Sequence, residues 1–104
     1  MIKNKHVMGD KLREKVGKLS EKEIFEIRSN LAARITKIEQ EKDRLLSQGK
    51  SVSELIGEQD RYGIAYDIAF RLLRKESGNQ IMQRRGLSRE DLLKYYQVIL
   101  EMNY

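Results

Sequence analysis

The sequence predicts an all-α protein built on one long antiparallel helical hairpin, about residues 21–48 against about 52–76. A short basic helix precedes the hairpin and an amphipathic helix, about 88–102, follows it. Three observations carry this reading. Apolar residues recur at helical spacing through most of the 104 residues, serines stand three residues before acidic residues where such runs begin, and proline is absent, so glycines and capping residues have to mark the boundaries. Hydrophobic residues make up 39% and charged residues 36% of the chain, the balance of a helical bundle with solvated outer faces and too apolar for wholesale disorder. The length suits a single domain, residues 1–104, with one modest core.

Taken in order, residues 1–9 show no period and read as a loose arm. Asp10 can cap a short helix over about Lys11 to Lys18, in which Leu12, Val16 and Leu19 recur and Gly17 weakens the propensity. Ser20 and Glu23 then form a capping-box pattern, the serine oxygen taking one free backbone N–H and the glutamate another. The helix that starts there runs roughly 42 Å at 1.5 Å per residue. Ile24, Leu31, Ile38 and Leu45 repeat every seven residues along it, with Ile27, Ile35 and Leu46 beside them. A strict seven-residue repeat favours a left-handed wrap around one neighbour. The outer faces carry pairs such as Lys22/Glu26 and Lys37/Glu41 at i,i+4.

Gly49 suits the left-handed residue that ends a helix, and Ser51 with Glu54 repeats the capping pattern, so the turn is short and the next helix returns antiparallel. On that second arm Leu55, Tyr62, Ala65, Tyr66, Ile68, Ala69, Phe70, Leu72 and Leu73 fill about 200° of the helical wheel. Such a helix needs cover from two directions. Gly78 is expected to close it, and residues 79–87 read as a loop or one weak helical turn. Ser88 and Asp91 open the last helix, whose apolar residues Leu92, Leu93, Tyr95, Tyr96, Val98, Ile99, Leu100 and Met102 cover about 220°. So wide a surface at the end of a chain is expected to dock on the hairpin and leave some area for a partner or a second copy, which makes a homodimer the economical arrangement.

The net charge is +5, and it sits at the ends. Residues 1–20 carry +4, residues 21–79 balance, and residues 80–104 add +1. With no cysteine there are no disulfides, thiolate metal sites or thiol nucleophiles. No apolar run approaches the roughly 20 residues that cross a bilayer, and the first residues have no signal-peptide apolar region, so cytoplasmic residence is the default expectation.

Catalysis finds little to work with. The single histidine, His6, lacks the partners of a hydrolase or metal site. Gly49-Lys50-Ser51 resembles the end of a phosphate-binding loop, but Arg44 stands where that motif needs its first glycine. Asp60 and Asp67 share a helical face without the Glu-x-x-His companions of a bundle metal site, and Asp67 is better placed to pair with Arg71. No enzyme, metal, cofactor or small-molecule substrate is expected.

Two functional readings remain. The first is a non-enzymatic interaction protein, a regulator or inhibitor, that binds another protein through Arg84, Arg85, Tyr95, Tyr96 and Ile99, because tyrosine and arginine dominate binding hot spots. The alternative is a nucleic-acid-binding accessory protein that uses Lys11, Arg13, Lys15, Lys18 and Arg84 to neutralise phosphates.

Overall fold

The computed structural model describes the backbone from residue 2 and the side chains from residue 9 onwards. Among the described residues there are five helices and no strand: α1 (Ile2–Gly17), α2 (Glu21–Ser47), α3 (Ser53–Leu73), α4 (Gly78–Arg85) and α5 (Arg89–Glu101). The fold is all-α, and α2 with α3 forms the long antiparallel hairpin.

Helix α2 begins as its sequence requires. Ser20 Oγ accepts from the Glu23 N–H at 3.1 Å, and the Glu23 carboxylate accepts from the Ser20 N–H at 3.0 Å. That backbone N–H, with the Asn103 amide and the Ser20 hydroxyl behind it, holds the Glu23 carboxyl below its ordinary pKa. At the far end Gly49 takes φ +71°, while the N–H groups of Gly49 and Lys50 return to the carbonyls of Leu46 and Leu45. This paired closure satisfies carbonyls that the helix end would leave free. Because it consumes Lys50, Ser51 falls one position too early to cap α3. The expected Ser51/Glu54 box is absent: Val52 occupies the N-cap with no side-chain bond, and Ser51 Oγ lies 3.0 Å from Ser53 Oγ.

Three further expectations are corrected. Gly78 does not close α3. Lys75 does, at φ +64°, with the N–H groups of Lys75 and Glu76 bonded to the carbonyls of Leu72 and Arg71. A lysine there accepts a conformation that costs an L-residue on the order of 1–2 kcal/mol, and the hydrogen-bonded closure holds it. Residues 79–87 are not mainly loop: Gly78–Arg85 is a two-turn helix, started by a second capping box between Ser77 and Gln80 and ended by Gly86 at φ +64°. The basic helix is not confined to 11–18 and the first residues are not a loose arm, since α1 extends back to Ile2. The side chains of Lys3, Lys5 and His6 lie outside the described residues. On the outer face of α2, Glu41 pairs with Arg44 rather than with the expected Lys37.

Helix α1 is held on the bundle by tertiary contacts. It lies against α5, and α5 in turn packs on α3 and α4. Gly9 marks the close approach: a Cβ there would stand 3.0 Å from Leu93 Cδ1. Within the chain, α1 lies against one part of the broad apolar surface of α5 while α3 and α4 lie against another. The core gathers Val16 of α1, Ile24, Ile27, Leu31 and Ile38 of α2, and Tyr62, Ala65, Ile68 and Ala69 of α3. Ile81 of α4 and Leu92, Tyr96, Val98, Ile99 and Met102 of α5 complete it. Asn30 Nδ2 donates to the Met102 carbonyl at 2.8 Å and fixes the end of α5 on α2. Of the seven-residue stripe, Ile24, Leu31 and Ile38 are buried, Leu45 is half-buried and Leu46 is exposed, so the stripe runs off the core towards the hairpin tip.

Candidate interaction surface

The structure separates the expected site residues. Ile99 is fully buried and Tyr96 is 4% exposed, so both belong to the core and neither presents a contact surface. That part of the expected partner site is corrected, and the cause is the cover α1 gives α5. Tyr95 is half-buried against the core. Arg84 and Arg85 turn towards α3, where two carboxylates serve three guanidinium groups. Asp67 receives Arg71 at 2.9 Å and Arg85 at 3.5 Å, and Glu76 receives Arg71 at 3.3 Å and Arg84 at 3.8 Å. The hydrogen bond that Arg71 donates to Asp67 raises the Arg71 pKa further, with Glu76 adding to it. This network latches α4 to α3. The Asp67/Arg71 pair anticipated from spacing is its centre.

The residues of the nucleic-acid reading are dispersed in the same way. Lys18 pairs with Glu14 at 3.0 Å, and Arg13 reaches Asp10 at 3.4 Å. Lys11 and Lys15 stand one turn apart on α1 and flank a shallow groove whose apolar floor includes Leu12 and Leu100.

A different surface stands out on the hairpin. Tyr62, Tyr66 and Phe70 follow one another at i, i+4 and i+8 along α3, beside α2. The Arg28 guanidinium carbon lies 4.3 Å from the Tyr66 ring centre and 5.1 Å from that of Phe70, and Arg74 lies 5.7 Å from the Phe70 ring. Farther along, Arg34 and Arg61 stand 5.6 and 5.1 Å from the Tyr62 ring. Each such stack contributes about 0.5–2 kcal/mol, according to how far it is removed from water.

Arg28 differs from the arginines of the α3/α4 latch. Its Nε is buried and has no hydrogen-bond partner, and no carboxylate among the described residues pairs with it. Two aromatic rings lie beside the charge, and no counter-charge among the described residues pairs with it. Phe70 beside it is 41% exposed, and Phe25, one turn earlier on α2, is 63% exposed. Exposed aromatic carbon, a stacked guanidinium and a second arginine thus share one face of the hairpin. No family model, curated protein or solved structure matches the chain. Its chemistry has to be read from this geometry.

Among the described residues no group of three or more His, Asp or Glu side chains gathers into a metal-binding cluster. No helix among them is long and apolar enough to cross a membrane.

Sequence reasoning counted Tyr62, Tyr66 and Phe70 as core-facing because they lie on the broad apolar arc of α3; Tyr62 is buried and Tyr66 half-buried as that implies, while Phe70 is 41% exposed. The missed signal is the pairing of that row with arginines on the neighbouring arm. Antiparallel pairing of 21–48 with 52–76 brings positions near 28 opposite positions near 70, and an arginine among aromatics at such a crossing marks a stack.

Proposed function

We propose that this protein is a non-enzymatic docking module, a regulator or inhibitor that binds another protein through the hairpin face formed by Phe25, Arg28, Tyr66, Phe70 and Arg74. The single observation that carries this reading is Arg28, a guanidinium stacked near two rings whose buried Nε has no hydrogen-bond partner among the described residues. Buried donors without partners cost about 1–3 kcal/mol. A chain tolerates that cost most readily where something else supplies the acceptor. Aromatic side chains and arginine are also the residue types that concentrate binding energy at protein interfaces.

The face defines its partner chemically. A carboxylate accepts from the stacked Arg28 guanidinium, and apolar side chains flanking that carboxylate cover Phe25 and Phe70. Arg74 beside Phe70 adds a second positive charge, so an acidic, partly apolar segment fits and a basic one is repelled.

Affinity capture with the tagged full chain tests the reading, run with and without nuclease. The expected outcome is a protein partner that survives nuclease, disappears with Phe70→Ser and persists with Arg84→Ala. Retention by Phe70→Ser removes this face from the account. Recovery of untagged copies of the same chain alone makes the partner a second subunit, and loss of every partner after nuclease moves the site to Lys11, Arg13, Lys15 and Lys18.

A further inference from the structure

A cavity of about 330 Å³ opens where α1, α4 and α5 meet, apart from the hairpin face. Its polar lining comes from Arg13 of α1, Arg89 and Tyr96 of α5, the first residues of α4, and Ser77 and Glu76 just before them. In α4 the capping box uses the N–H groups of Ser77 and Gln80. The N–H groups of Gly78 and Asn79, at the first two helical positions, have no acceptor within the helix. Gly78 keeps this end open, because a Cβ there would stand 3.4 Å from both the Tyr96 hydroxyl and Leu92 Cδ2.

Tyr96 supplies an observation independent of the helix end. Its side chain is buried with 4% of the residue exposed, its hydroxyl lies beside Gly78, and it has no hydrogen-bond partner among the described residues. Burial pushes its pKa up and the nearby Arg13 charge offsets this only in part, so the phenol stays protonated and acts as a donor at neutral pH. Arg13 and Arg89 both reach the same exposed carboxylate, Asp10, at 3.4 and 3.5 Å. Those contacts are long for charge-assisted bonds, and two cations share one solvent-exposed anion. The carboxylate that lines the cavity, Glu76, is held by Arg71 and Arg84.

We infer that this cavity binds a phosphate group, as inorganic phosphate or as the head of a small phosphomonoester, between Arg13, Arg89, the Tyr96 hydroxyl and the Gly78 and Asn79 N–H groups. Every one of these groups donates, and a tetrahedral dianion offers enough oxygens to accept from several at once, which the single carboxylate of Asp10 does not. The apolar walls formed by Leu72 and Met82 accommodate the organic body of a monoester, and the volume falls at the small end of ligand pockets, about 300–1,000 Å³.

Titration of the ¹⁵N-labelled full chain with sodium phosphate, phenyl phosphate and sodium benzoate, at constant ionic strength set with sodium chloride, tests the site. Saturable shifts of the Gly78 and Asn79 amides are expected with both phosphates. Arg13→Gln and Arg89→Gln should each weaken binding by about tenfold, and Tyr96→Phe by a smaller factor, in spectra that remain dispersed. Tighter binding of phenyl phosphate than of inorganic phosphate identifies a monoester ligand, and equal binding identifies the free ion. Equal binding of benzoate, shifts that never saturate, or saturation undiminished in both arginine variants would overturn the assignment. None of these outcomes bears on the hairpin face, which contributes no residue to the cavity.

Discussion

Replacing Ile99 by alanine is expected to lower the free energy of unfolding by about 2–5 kcal/mol, a large part of the roughly 5–15 kcal/mol available to a small domain. The argument rests on position. Ile99 has no exposed surface, and the helix that carries it is packed between α1, α3 and α4. Truncation there removes buried carbon from several neighbours at once and leaves a cavity that rigid helices fill only in part. Urea denaturation monitored by circular dichroism measures the change directly. A cost below about 0.5 kcal/mol is what a residue on an open contact face gives, and that result would return Ile99 to the partner surface.

Arg28→Ala is expected to do the opposite, leaving stability nearly unchanged and removing partner binding. Two terms of opposite sign act on the folded state. Loss of the stacks on Tyr66 and Phe70 destabilises by about 0.5–2 kcal/mol, whereas removal of a buried, unsatisfied Nε relieves about 1–3 kcal/mol. Their central values differ by about 1 kcal/mol, so the net change is small beside the loss expected at the interface. No such cancellation operates at the interface, where the stacked guanidinium is the anchor and the partner's carboxylate is left without its donor. Truncating a residue of this kind costs about 2 kcal/mol or more, close to a 30-fold loss of affinity. Thermal unfolding and binding measured on the same variant check both halves, and a variant that unfolds easily yet binds normally would mean that Arg28 serves packing alone.

The architecture was legible because its signals are local and repeated. The Ser20/Glu23 box and Gly49 each act within a turn or two and the structure uses both as the sequence implied, while of the seven-residue stripe it buries Ile24, Leu31 and Ile38. The misreadings share one cause. Helix α4 is short, its capping box pairs serine with glutamine, and its single buried residue, Ile81, shows no period. The first half of α1 carries little apolar pattern in the sequence. Apolar periodicity therefore marks neither element.

The candidate surface was harder to read for a related reason. Tyr96 and Phe70 both sit on broad apolar arcs, yet one is buried and the other 41% exposed. The difference lies in which flank α1, α4 and α5 cover, and a helical wheel of one element cannot show that. Likewise Arg84 and Arg85 read as free charge until the fold brings Asp67 and Glu76 beside them. Arg28 lies in the charge-balanced part of the chain, where nothing marks it as unpaired.

The most direct test of the docking face is site-specific photo-crosslinking, with a benzophenone amino acid placed at Phe25 and, in a parallel sample, at Arg84. Both positions are exposed, so neither replacement disturbs the core. A crosslinked partner protein from position 25 and none from position 84 is the expected result. Crosslinking from position 84 alone would contradict the account and put the partner on α4.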